Sequence, residues 1–135
     1  MAEKNTDTFN ADGSLDFYCE KDLKKRFVAL CDKKGVIFSD AVRNMILECV
    51  RVGKMPEEMA QAWLEECLQL NKAADCKWRV NGVLNKNVER CRVRVNSAVK
   101  EQFREILDKD PSRLKANKII RLYIRMCVKK RKLFY

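Results

Sequence analysis

The chain has 135 residues, 47% of them hydrophobic, and a formal net charge of +10 without a single histidine. That size and apolar content suffice for one compact domain, or two small units sharing a core, and exclude a disordered tail. The polar start MAEKNTDTFNADGSLD lacks the apolar centre of a secretion signal, and no apolar run approaches the roughly 20 residues that span a bilayer, so a cytoplasmic protein without a membrane partner is expected.

The charge is unevenly spread. Residues 1–75 carry 11 Lys and Arg against 14 Asp and Glu, whereas residues 76–135 carry 18 against 5. The positive excess therefore sits wholly in the second half, which points to a polyanion, nucleic acid being the commonest; a solvated basic helix face is the plainer reading. The seven cysteines are odd in number, at least four fall on apolar stripes, and none forms a CxxC pair. They read as reduced core residues rather than disulfides or a zinc site.

In chain order, residues 1–13 are expected to form a flexible arm. Leu15, Phe17 and Cys19 then alternate with Ser14, Asp16 and Tyr18, the period-2 pattern of a strand with one buried face. Leu23, Phe27, Leu30 and Cys31 form a helical stripe that Gly35 stops. Ser39 is the expected N-cap of a second helix, with Val42, Met45, Ile46, Cys49 and Val50 on its inner face and Gly53 at its end. Pro56 suits the first turn of a third helix running to about Lys72, with Met59, Trp63, Cys67 and Leu70 inward and Leu64 and Leu68 beside them. The segment from Cys76 to Val80 alternates like a strand, and Asn81-Gly82 is a strong hairpin signal. Cys91, Val93 and Val95 next alternate with Arg90, Arg92 and Arg94. Asn96 or Ser97 is expected to cap a helix ending near Lys109, because Pro111 disfavours helical geometry in the residue before it. The last helix is expected from Asn117 to about Lys130, followed by the cationic stretch Lys129 to Lys132.

Two stretches of this pass follow one plan of strand, helix, turn and helix. Cys19, Leu23, Phe27 and Leu30 recur 76 residues later as Val95, Val99, Phe103 and Ile106. After the turn the shift becomes 78, and Ala41, Val42, Arg43, Ile46, Cys49 and Val50 recur as Ile119, Ile120, Arg121, Ile124, Cys127 and Val128. One such unit cannot bury its apolar face alone, so two in one chain suggest an internal pseudo-dimer. The chain then divides into an arm (1–13), a first copy (14–53), an inserted helix with a possible hairpin (54–89), a second copy (90–130) and a tail (131–135).

This plan, with Gly35 followed four residues on by Ser39, resembles the ribbon-helix-helix DNA-binding proteins of the Arc and MetJ superfamily. The first copy matches over about Ser14 to Val50. The second, over about Arg90 to Val128, departs by carrying Pro111 for the glycine and a turn two residues longer. Tandem copies in one chain are similar to the TraY-type DNA-binding proteins of conjugative plasmids.

The resemblance implies a mainly α fold with a short antiparallel β-ribbon, a tandem ribbon-helix-helix pseudo-dimer with an inserted helix. It further implies that the ribbon enters the major groove of double-stranded DNA, with Ser14, Asp16, Tyr18, Arg90, Arg92 and Arg94 facing the bases. Arginine suits a bidentate contact with guanine; Asp16 suits cytosine, or the holding of a neighbouring arginine. The helix starts marked by Ser39 and Asn117, with Lys115 beside the latter, would grip phosphates, their plainer role being ordinary capping.

The role implied is an accessory protein of a relaxosome or transfer origin, with a transcriptional repressor or a centromere-binding partition protein as alternatives. The helix around Trp63 would dock a relaxase or another chain unless it merely packs, and a second copy would occupy adjacent subsites. A protein-interaction (antitoxin) module and an RNA-binding module are the readings from other classes. With no histidine, phosphate-cradling glycine loop, paired-carboxylate motif or metal cluster, neither an enzyme nor a cofactor is expected.

Overall fold

The computed structural model describes residues 12–68 and 79–135. The expected arm, apart from Asp12 and Gly13, lies outside these residues, as do Leu70, the end expected for the inserted helix near Lys72, and Cys76 to Trp78. Among the described residues the order is β1 (Gly13–Glu20), α1 (Lys21–Lys34), α2 (Phe38–Val52), α3 (Glu57–Leu68), β2 (Arg79–Val80), β3 (Val83–Leu84), β4 (Val88–Val95), α4 (Ser97–Lys109) and α5 (Ala116–Lys130). The molecule is mainly helical with a short antiparallel two-stranded sheet in which β1 pairs with β4, and a separate β2–β3 hairpin. No helix among these residues is long and apolar enough to cross a membrane.

The helices stop where the chain chemistry requires. Gly35 and Gly53 adopt left-handed backbone at φ 72° and 84°, and their N–H groups close onto carbonyls of the last helical turn. Asn96 caps α4, its side chain accepting from the N–H groups of Ala98 at 2.9 Å and Val99 at 3.2 Å. The hairpin turns at Asn81 (φ 54°) and Gly82 (φ 80°), the paired positive angles that a two-residue connection demands.

Two helix starts differ from expectation. α2 begins at Phe38 with Ile37 in the cap position, and α5 begins at Ala116 with Lys115 there; neither cap has a side-chain bond to the helix. Ser39 and Asn117 each lie one residue inside, so neither is the cap. The reason is tertiary. Phe38 is drawn into the first turn by an aromatic cluster, its ring 5.8 Å from Phe27 and 6.3 Å from Phe17. Asn117 spends its side-chain oxygen on the backbone N–H of Tyr18, at 2.6 Å.

The core lies beneath the β1–β4 sheet and draws on both stretches. Burial agrees across the repeat: Phe27 and Phe103, Cys31 and Leu107, Val42 and Ile120, Ile46 and Ile124, and Cys49 and Cys127 are all buried, while Leu23 and Val99, and Leu30 and Ile106, are half-buried. Fully burying a phenylalanine contributes about 1.5–3 kcal/mol, so Phe17, Phe27 and Phe103 are major supports. The helices pack crosswise, α1 against α5 and α2 against α4.

α3 packs on α5. Met59 is buried, Trp63 half-buried against the core, and Arg125 of α5 holds Glu66 through two bonds of 2.7 and 2.9 Å. Cys67, expected inside, is exposed, and Leu64 and Leu68 are 56% and 79% exposed, because the face of α3 turned to the core and to α5 carries Met59, Trp63 and Glu66, and Leu64, Cys67 and Leu68 lie round the helix from it. The residues after α5, expected as a tail, fold back: Leu133, Phe134 and Tyr135 pack on the core, Tyr135 stacks on Tyr123 at 5.6 Å, and its hydroxyl donates to Glu58 at 3.0 Å.

Candidate nucleic-acid interface

Successive side chains of a strand point to opposite faces. On β1 and β4 the inward set is Leu15, Phe17, Cys19, Cys91, Val93 and Val95, all buried. The outward set comprises Ser14, Asp16 and Tyr18, half-buried, and Arg90, Arg92 and Arg94, exposed. The antiparallel register places Ser14 opposite Arg94, Asp16 opposite Arg92 and Tyr18 opposite Arg90. All six residues singled out from sequence are thus brought together in three cross-strand pairs.

The middle pair organises the face. Arg92 donates from Nε to Asp16 Oδ1 at 2.8 Å and from Nη2 to Oδ2 at 3.3 Å, and Arg90 donates from Nη2 to the same Oδ2. These bonds, Arg92's first, hold the Asp16 carboxyl well below the usual carboxylate range. Both arginines keep more than half of their side-chain surface in solvent, 56% for Arg90 and 61% for Arg92.

The second helices brace this sheet from below. Arg43 of α2 donates from Nη1 to the carbonyl of Arg94 at 3.1 Å and pairs with Asp40 through Nη2. Asn117 of α5 fastens Tyr18 through its backbone N–H. The two anchored residues are themselves 76 apart, so each second helix grips the equivalent point of the other copy's strand. Arg121, the counterpart of Arg43, is buried and donates to Glu20 at the end of β1 at 2.9 Å. At the opposite end Asp12 accepts from the Ser97 N–H at 2.8 Å and from its hydroxyl at 3.0 Å, which lowers the carboxyl's pKa at the start of α4.

Of the residues expected at phosphates, Lys115 is exposed at the start of α5, Ser39 is half-buried in the first turn of α2, and Asn117 is committed to Tyr18. Asp40, beside Ser39, is neutralised by Arg43. Local sequence pattern does not mark Arg43 or Asp12 as site residues; the one signal for Arg43 is its equivalence to Arg121 in the repeat. The β2–β3 hairpin, three residues before β4, is exposed throughout and carries Arg79, with Lys86 following it. Among the described residues no group of three or more Cys, Asp or Glu side chains is placed to hold a metal ion.

Comparison with protein-family models, with curated proteins and with solved structures returns no match.

Proposed function

We propose that the chain is a sequence-specific binder of double-stranded DNA, a tandem ribbon-helix-helix pseudo-dimer that inserts its β1–β4 ribbon into a major groove. The groove is about 12 Å wide and admits a two-stranded ribbon, and its floor offers a distinct donor and acceptor pattern for each base pair. The observation that carries the reading is the register. The 76-residue shift makes Asp16 the counterpart of Arg92, Ser14 that of Arg90 and Tyr18 that of Arg94, and the pairing sets Asp16 directly against Arg92, with the other two pairs exchanged about it. This is the pattern of a two-fold axis through the middle of a ribbon made by one chain. The crosswise packing of α1 on α5 and α2 on α4 supports the same symmetry.

The outward face is lopsided, with three arginines from β4 and a single carboxylate from β1. A chain bound this way reads a non-palindromic site in one orientation. Among the described residues six cysteines are free, five of them buried, which suits a reducing cytoplasm. The biological role that fits the tandem architecture is that of an accessory protein at a plasmid transfer origin.

Replacing Arg92 and Arg94 with alanine is expected to abolish the preference for a duplex selected from a random pool over random DNA, at fixed salt, while leaving the fold intact by circular dichroism. An unaltered preference overturns the reading. The affinity is also expected to fall with salt, the log-log slope near −0.9 per phosphate neutralised. Equal competition by single-stranded RNA would favour an RNA-binding module instead, and a footprint on the DNA flanking the gene separates transfer origin, promoter and iterated array.

A further inference from the structure

At the centre of the ribbon two equivalent positions of the repeat face each other, and their Cβ atoms in such a pair lie about 4.5–5.5 Å apart. Two arginines there would repel. The chain instead sets Asp16 against Arg92, and the carboxylate also takes Arg90. The pair with Arg92 is side-on, through Nε and one hydrogen of Nη2. That leaves the end-on edge of the guanidinium, Nη1 and the outer hydrogen of Nη2, directed away from Asp16. The end-on edge is the one that matches O6 and N7 of guanine in the major groove.

We propose that Asp16 is a specificity-determining residue of the ribbon, acting by holding Arg92 and Arg90 for guanine and by denying them to phosphate. The inference rests on the DNA-binding reading above. Two effects carry it. An arginine side chain has about 2 kcal/mol of rotamer entropy, and fixing it beforehand removes part of that cost from base recognition. A carboxylate between two exposed guanidinium groups also cancels part of their attraction for any phosphate backbone, the sequence-independent share of DNA affinity. The carboxyl is held ionised by the same hydrogen bonds, so the effect persists across the pH range in which DNA is stable. Asp16 thus lowers affinity for DNA in general and raises the ratio between right and wrong sites.

The experiment uses the full chain and two probes: a duplex selected from a random pool by the wild-type protein, and random-sequence duplex of equal length. It compares wild type, Asp16→Asn, Asp16→Ala and Arg92→Ala. Both Asp16 variants are expected to bind random duplex several-fold more tightly than wild type. Their selected-to-random ratio is expected to fall at least about fivefold, the lower end of what one bidentate arginine–guanine pair supplies. Replacing guanines of the selected duplex with 7-deazaguanine, which lacks the N7 acceptor, is expected to cost wild type more than it costs either variant. If Arg92→Ala collapses the ratio while both Asp16 variants keep it, Asp16 merely relieves charge repulsion at the ribbon centre and the proposal is overturned. If Arg92→Ala keeps the ratio, or wild type has no preference, the DNA-reading ribbon itself fails, and this proposal with it.

Discussion

Asp16 and Arg92 lie 76 residues apart in the chain and directly opposite each other in the sheet, joined by a 2.8 Å bond from Nε to Oδ1. Because Arg92 and then Arg90 lower the pKa of the Asp16 carboxyl, the native state binds its proton more weakly than the unfolded chain does. The stabilisation is therefore full above the unfolded carboxylate pKa of about 3.9 and is lost as the pH falls through the lower native value. The melting temperatures of wild type and Asp16→Asn are expected to differ most near neutrality and to converge below about pH 4. A gap that widens on acidification contradicts this sign.

The two braces under the ribbon are unequal. Asn117→Ala removes the acceptor of a half-buried backbone N–H, a loss of about 1–2 kcal/mol. Arg43→Ala uncovers a carbonyl that water can reach, and its cost is expected to be about 0.5 kcal/mol. Urea unfolding of both variants, with unchanged slope, measures the difference. Equal losses would show that the Tyr18 contact is no more protected than the one at Arg94.

Arg121 is 1% exposed, and its partner Glu20 keeps some water contact. Arg121→Ala is expected to cost about 3 kcal/mol, through a lost ion pair and a cavity. Arg121→Met, which refills the space, is expected to recover part of this. If methionine proves as damaging as alanine, the ion pair rather than the packing dominates at this site.

Burial pushes the thiols of Cys19 and Cys49 up to about 12, and those of Cys31 and Cys91 to about 11, and raises that of Cys127. Cys67 is exposed. Peptide mapping after brief alkylation at pH 8 is expected to find Cys67 labelled and these five protected, with all seven cysteines of the chain labelled in denaturant. Rapid native labelling of Cys19 or Cys91 would mean that the ribbon opens from its core.

Much of this architecture is legible in the residues themselves. Alternation in Leu15, Phe17 and Cys19 and in Cys91, Val93 and Val95 marks the two strands and their inward faces. Gly35, Gly53 and Asn81-Gly82 mark the turns, because few other residues accept positive φ there. The 76-residue shift also identifies Asp16 and Arg92 as equivalents. What local pattern misses is any residue whose chemistry is spent at a distance. Ser39 and Asn117 look like caps, but the aromatic contacts of Phe38 and the bond from Tyr18 go with caps two residues earlier, at Ile37 and Lys115. Leu64, Cys67 and Leu68 continue an apolar stripe, but α3 turns Met59, Trp63 and Glu66 to its neighbours instead, and Tyr135 reads as a tail until its ring meets Tyr123.

The sequence by itself determined the repeat, the strand faces and the concentration of arginine on one of them, since periodicity and side-chain chemistry are local properties. Only the tertiary structure decided that β1 pairs with β4 about Asp16 and Arg92, and that one carboxylate holds two arginines. Register is a relation between segments 76 residues apart, set by burying both apolar faces at once, and a one-residue slip would turn every arginine of β4 into the core.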